Sequence, residues 1–167
     1  MHRVKLTIKS TDKEILTNNG IDICYVQNLL ETAFNIIKPV KRQRNHRLKL
    51  ALVDDDFSHY TFSNVINITK FCFNEKTNNK RWYSFFNDLM HEACHYIQFK
   101  IDHVNITEFF LEHQTASRTK YLNNATERQA RRYGSIAREI TALYTKLLRV
   151  RVNDKKAISK RNEKGKG

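Results

Sequence analysis

The segment from Arg81 to about Ile101 constrains this chain more than any other. Trp82, Phe85, Phe86, Leu89, Met90, Ala93 and Ile97 recur at helical spacing and form one wide, aromatic-rich stripe. A helix with such a face is stable only when that face is buried. The rest of the chain must therefore supply a layer to cover it. Upstream, the apolar period falls to two. Val4, Leu6 and Ile8 alternate with charged or polar neighbours and read as a short strand or extended arm. Leu48, Leu50, Leu52 and Val53 predict a second strand, closed by the acidic turn Asp54-Asp55-Asp56. His59 to Phe62 and Val65 to Thr69 predict two more, joined by the tight connection Ser63-Asn64, with Val65–Thr69 near a sheet edge.

Helices account for the remainder. The stretch from about Ile23 to Ile37 carries Val26, Leu29, Leu30, Ala33, Phe34 and Ile37 at helical spacing, and Pro39 stops it. Asn105-x-x-Glu108 has the spacing of a capping box and predicts a helix bearing Phe109, Phe110 and His113 toward Tyr121, broken at Asn123-Asn124. A last helix is expected from about Ala125 to Val150. Beyond Asn153 the chain is Lys-rich and apolar-poor, so 151–167 is expected as a basic, disordered tail on a single domain spanning 1–150. The expected class is α+β: a short, mostly antiparallel sheet packed on the Arg81–Ile101 helix and on further helices.

Composition narrows the setting. The 167 residues suit one domain, and one proline with four glycines argues against a loop-rich or repetitive fold. Cys24, Cys72 and Cys94 are widely spaced and form no CxxC pair, which fits a reducing compartment rather than a disulfide framework. Met1 to Ile8 lacks the apolar core of a signal peptide, and no apolar run reaches the ~20 residues of a membrane span. A cytoplasmic protein with no membrane partner is expected. The 30 Lys and Arg outnumber the 17 Asp and Glu, a net charge of +13. Such an excess serves solubility or attracts polyanions. The basic stretches Lys38–Lys49 and Arg149–Lys166 contain no aromatic residue for base stacking, so they suit non-specific nucleic-acid contact through phosphates.

Chemistry concentrates in His91-Glu92-Ala93-Cys94-His95. A turn is ~3.6 residues, so His91 and His95 stack on one helix face and can each give one nitrogen to a Zn²⁺ ion. Glu92 points ~100° around the helix, where it reaches a metal-bound water rather than the metal and suits a general base. Cys94 faces away and reads as a small core residue, and Asp88, one turn ahead of His91, is placed to orient it. A catalytic zinc site normally has three protein ligands. Glu127, His113 and His103 are the downstream candidates for the third. Asn124-x-x-Glu127 also has capping-box spacing, which would make Glu127 a helix cap instead. Tyr133 and His113 are candidates for an oxyanion donor.

Leu89-Met90-His91-Glu92-Ala93-Cys94-His95-Tyr96 followed by Glu127-Arg128-Gln129-Ala130 resembles the gluzincin metallopeptidases, especially their minimal single-domain forms. In these an H-E-x-x-H helix precedes a separate helix whose E-x-x-A glutamate completes the site. The resemblance covers roughly Leu48 to Leu148 and rests on two short motifs. It implies a zincin-like fold, peptide-bond hydrolysis on a protein or peptide substrate, Zn²⁺, ligands His91, His95 and Glu127, and Glu92 as base. Glu92-Ala93-Cys94-His95 also resembles the SprT-like (Spartan-type) proteases, which act on DNA-bound proteins, use a third histidine and often carry a cysteine-rich zinc ribbon. This chain has no such ribbon.

Overall fold

Four strands form one mixed sheet in a computed structural model that describes residues 1–39, 41–104 and 124–164, the last ten of these as helical backbone only. β1 (His2–Ile8), β2 (Arg44–Val53), β3 (His59–Thr61) and β4 (Val65–Thr69) lie in the order β1-β2-β4-β3. β1 pairs with β2 and β2 with β4 in parallel, and only β3–β4 is antiparallel. The expectation of a mostly antiparallel sheet is therefore wrong, although the α+β class holds. Period-two alternation reports that one face of a strand is buried, and it carries no information on direction. Direction is set by the connections. Helices α1 (Ser10–Asn18) and α2 (Ile23–Ile37) lie between β1 and β2 and return the chain in the same sense, whereas Ser63-Asn64 makes a tight reversal with Asn64 at φ 62°.

The free edge of β1 is closed by α2. Asn35 Oδ1, Glu31 Oε2 and Gln27 Oε1 accept from the backbone N–H groups of His2, Val4 and Leu6 at 2.7, 3.5 and 3.2 Å. Four helical residues rise ~6 Å and two strand residues ~6.6 Å, so the two repeats stay in step over three contacts. Edge donors that would invite another chain are satisfied internally. α1 has no counterpart in the sequence periodicity, because Ile15 and Leu16 are its only large apolar residues. Leu16 is fully buried, and the carboxylate of Asp12 accepts from the backbone N–H of Leu52.

The aromatic stripe lies on α3 (Asn78–Lys100), capped by Thr77. Trp82, Phe85, Phe86, Leu89, Met90, Ala93 and Ile97 are all buried, as the periodicity predicts. After the segment 105–123, which lies outside the described residues together with the helix expected to carry His113, the chain forms α4 (Ala125–Ser135) and α5 (Ala137–Lys164). One continuous helix from Ala125 to Val150 is corrected to two. Gly134 and Ser135 are weak helix formers and α4 ends on Ile136. α5 then runs on to Lys164, past the point where the sequence predicts a disordered tail. Lys155, Lys156, Ala157, Lys160, Arg161 and Glu163 are good helix formers that continue it without an apolar stripe. Tyr144 of α5, fully buried, donates its hydroxyl to Gly20 O and accepts from Asp22 N, which ties α5 to the turn before α2.

Ala130 and Gly134 bring α4 close to α3. A Cβ at Gly134 would stand 2.9 Å from Asn87 Oδ1 and 3.2 Å from the Asn87 carbonyl oxygen. Gly134→Val is expected to push the helices apart and cost about 1–3 kcal/mol, read as a lower midpoint in denaturant. An unchanged midpoint would mean that the close approach is not needed.

A polar chain crosses the core behind α3. Lys38 O accepts from His2 Nε2 at 2.6 Å, His2 Nδ1 lies 2.7 Å from His46 Nε2, and His46 Nδ1 lies 2.8 Å from the Tyr96 hydroxyl. Burial, and then the neighbouring His2 and Arg44, lower His46 to about 4. The unfolded chain takes up this proton near pH 6.5, ahead of the folded one. Stability should be intact above that pH and should fall as pH drops from there toward 4. His46→Gln should flatten this part of the Tm–pH curve; an identical curve would exclude His46 as its source.

Candidate metal centre

Two elements build the centre. α3 presents His91 and His95 one turn apart, with ring centroids 4.8 Å apart and Nε2 atoms at 3.2 Å. The Asn124 side chain caps α4 by accepting from the backbone N–H groups of Thr126 and Glu127 at 2.8 and 3.4 Å. Asn124 thus serves as the cap, and the Glu127 carboxylate turns toward α3. Glu127 Oε1 lies 3.2 Å from His95 Nε2 and Oε2 lies 3.5 Å from His91 Nε2. One ligand atom from each of the three residues can be chosen so that all lie within 4.8 Å of one another. Glu127 is 2% exposed, so its charge has no access to bulk water as a substitute partner.

The hydrogen bonds around the rings fix which nitrogen is free. Gln98 Nε2 donates to Thr126 O at 3.0 Å and to Gln129 Oε1 at 2.8 Å, so its Oε1 is the acceptor toward His95 Nδ1 at 2.9 Å. His95 therefore carries its proton on Nδ1. In the neutral ring the lone pair on Nε2 faces a carboxylate oxygen. Two acceptors at 3.2 Å repel, so Nε2 either takes a proton and donates it to the carboxylate or gives its lone pair to a cation. Electrostatics agree in sign. Burial acts to lower the His95 pKa, but the Glu127 hydrogen bond and the Glu92 and Glu127 charges outweigh it and raise it. Burial acts to raise Glu127, but hydrogen bonds from His91 and His95 outweigh it and hold the carboxyl below the usual range. The cluster thus calls for positive charge.

The donor set could hold a metal ion. The two Nε2 atoms stand 3.2 Å apart, near the ~3.3–3.4 Å edge of a tetrahedron with ligand atoms at ~2.0–2.1 Å, and the carboxylate meets them through different oxygens, Oε1 at 3.2 Å from His95 and Oε2 at 3.5 Å from His91. Two imidazoles and a carboxylate are a common catalytic zinc set, one that leaves a fourth position for water or substrate.

The cluster lies in a cleft of about 620 Å³ bordered by the 56–60 segment, Phe62, Asp88 and Phe99. Glu92 lies in the same cleft, 5% exposed, with Oε1 3.9 Å from His91 Nε2. Burial raises its carboxyl above the usual range, against the opposing charges of His95 and His91. Phe99 stacks on His95 at 5.8 Å, and Phe57, 75% exposed, stands at the rim.

Among the described residues, no other candidate joins the cluster. His103 is exposed, takes φ 53° and lies beyond the end of α3 at Lys100. His113 falls outside the described residues. Tyr133 does not line the cleft, and the groups acting on it include Cys94, Lys38 and Asp102. Cys94 faces away from the imidazoles, 1% exposed, with its thiol pushed up to about 12 by burial. Asp88 accepts from Ser58 Oγ at 2.6 Å and from Asn87 Nδ2 at 3.3 Å, so it anchors the 56–60 segment beside the cleft. Gln98 is absent from the sequence expectations. Its one signal is position, a polar residue one turn after His95 on the helix face that carries the two histidines.

Compared with protein-family models, curated proteins and solved structures, the chain matches none.

Gln98→Leu should release the His95 ring and lower the affinity of this group for a divalent metal about 10–100-fold, measured by competition with a chromophoric chelator. Wild-type affinity in that variant would show that Gln98 does not orient the ring.

Proposed function

We propose that the chain is a zinc-dependent metallopeptidase of gluzincin type, with His91, His95 and Glu127 holding the ion and Glu92 acting as general base. The observation that carries this reading is the Glu127 carboxylate facing both imidazole Nε2 atoms, at 3.2 and 3.5 Å, beside buried Glu92 in an open cleft. Zinc bound there supplies Lewis acidity and lowers the pKa of its water to ~7. Glu92 would accept a proton from water in the cleft and pass it to the leaving amine nitrogen. Gln98 keeps the His95 lone pair aimed at the site.

A zincin-like reading of the fold draws support from the same arrangement. The histidine-bearing helix packs on the sheet beside its antiparallel edge strand β3, and a separate later helix supplies the glutamate. A peptide or protein is the proposed substrate. A reducing, cytoplasmic setting is part of the reading and is supported by free Cys24, Cys72 and Cys94. Among the described residues, no helix is long and apolar enough to cross a membrane.

The test separates binding from chemistry. Glu92→Gln should retain one zinc per chain and lose about 10²-fold or more in kcat on a quenched peptide library. Glu127→Ala should lose zinc and activity together, and chelation of wild type should abolish activity until zinc is restored. Undiminished hydrolysis by Glu92→Gln, or wild-type protein that takes up no metal, would overturn the assignment.

A further inference from the structure

We infer that the outward face of the β1–β2 pair is a docking surface for the phosphate backbone of duplex nucleic acid. Arg3 and Lys5 project from β1 and Arg47 and Lys49 from β2, and all four are exposed. The parallel register sets Lys5 directly opposite Arg47, with Arg3 beside Asn45 and Lys49 beside Thr7. Adjacent strands lie ~4.8 Å apart and alternate residues ~6.6 Å apart along a strand, so the four cations share one small, rigid block. Like charges facing each other across a ladder oppose its pairing. Counter-charge from elsewhere in the chain is scarce. None of the outward residues of the four strands is Asp or Glu. Glu31 reaches Arg3 at 3.3 Å from α2, and among the described residues no carboxylate pairs with Lys5, Arg47 or Lys49.

The composition of the face selects the polyanion. It carries no Phe, Tyr or Trp on which unpaired bases could stack, which favours a duplex over a single strand. It also lacks the large apolar side chains that seat a basic surface in a lipid interface. Phosphate contact of this kind fixes position without reading sequence. The net charge of +13 adds long-range attraction. Strand order places this block at the sheet edge opposite β3, whose residues border the cleft. Duplex and cleft ligand can therefore be held together. The docking surface does not rest on the peptidase reading, since none of its residues belongs to the metal centre.

The experiment is fluorescence anisotropy of the full chain with a labelled DNA duplex across a series of salt concentrations. Wild type is compared with Lys5→Gln/Arg47→Gln/Lys49→Gln and with a charge-matched control on α5, Arg138→Gln/Lys146→Gln/Arg149→Gln. The sheet variant should bind about tenfold or more weakly, and its slope of log K against log salt should shrink by about 2–3. The α5 control should stay near wild type. Should the triple variant fold poorly, Lys5→Gln and Lys49→Gln singly should each shrink the slope by ~0.9. Wild-type binding by the sheet variants overturns the inference, as does an equal loss in the α5 control. Stronger binding to an unpaired oligonucleotide or to phosphatidylserine vesicles also overturns it.

Discussion

The structure turns on one contact, the Glu127 carboxylate held against two imidazoles by the packing of α4 on α3. Burial alone would drive this carboxyl toward its neutral form, and would do the same to His95. Each group is kept charged or polar by the other. The interaction is therefore worth most in the place where it costs most to desolvate, and it depends on the helices staying close. Ala130, fully buried, and Gly134, against Asn87, are the small residues that permit the approach. Asn124 sets the first turn of α4 so that Glu127 faces inward. Loss of any of these would leave two acceptors and a buried charge without a common partner.

One helix serves both stability and chemistry. The sheet-facing side of α3 carries the rings and aliphatic groups that form the core, and the same helix carries His91, Glu92 and His95 at a cleft bordered by β3. A ligand set on a helix that is packed over most of its length loses little entropy on binding a metal, because its rotamers are already restricted. Gln98 extends this rigidity. It is hydrogen-bonded at both ends of its amide, so it ties the tautomer of His95 to the position of α4. Ligand geometry and helix packing are thus coupled through one side chain.

The sheet divides its two faces between different tasks. Inward residues of β1, β2 and β4 join the apolar core, interrupted by the His2–His46–Tyr96 chain, which satisfies its own polar atoms. Outward residues of β1 and β2 are exposed and cationic. With helices packed on one face only, even the parallel strands read as alternating, and the alternation places the basic residues together on the solvent side.

Local pattern was legible wherever an interaction is short in sequence. The stripe on α3, the i, i+4 histidines and the strand periodicities all follow from backbone repeats of 3.6 and 2, which the residues themselves display. The sequence by itself thus determined which residues are buried together on α3 and that His91 and His95 share a face. It did not determine strand direction, the existence of α1 with its two large apolar residues, the break at Ile136, or the helical course beyond Asn153. Those depend on connections, and on propensities that carry no apolar stripe. Tertiary structure alone decided which distant group faces the imidazoles: Glu127, 32 residues after His95, rather than His103 at only eight. The reason is physical. Sequence separation measures the cost of closing a loop, whereas the meeting of Glu127 with His91 and His95 is decided by how closely two helix surfaces can pack.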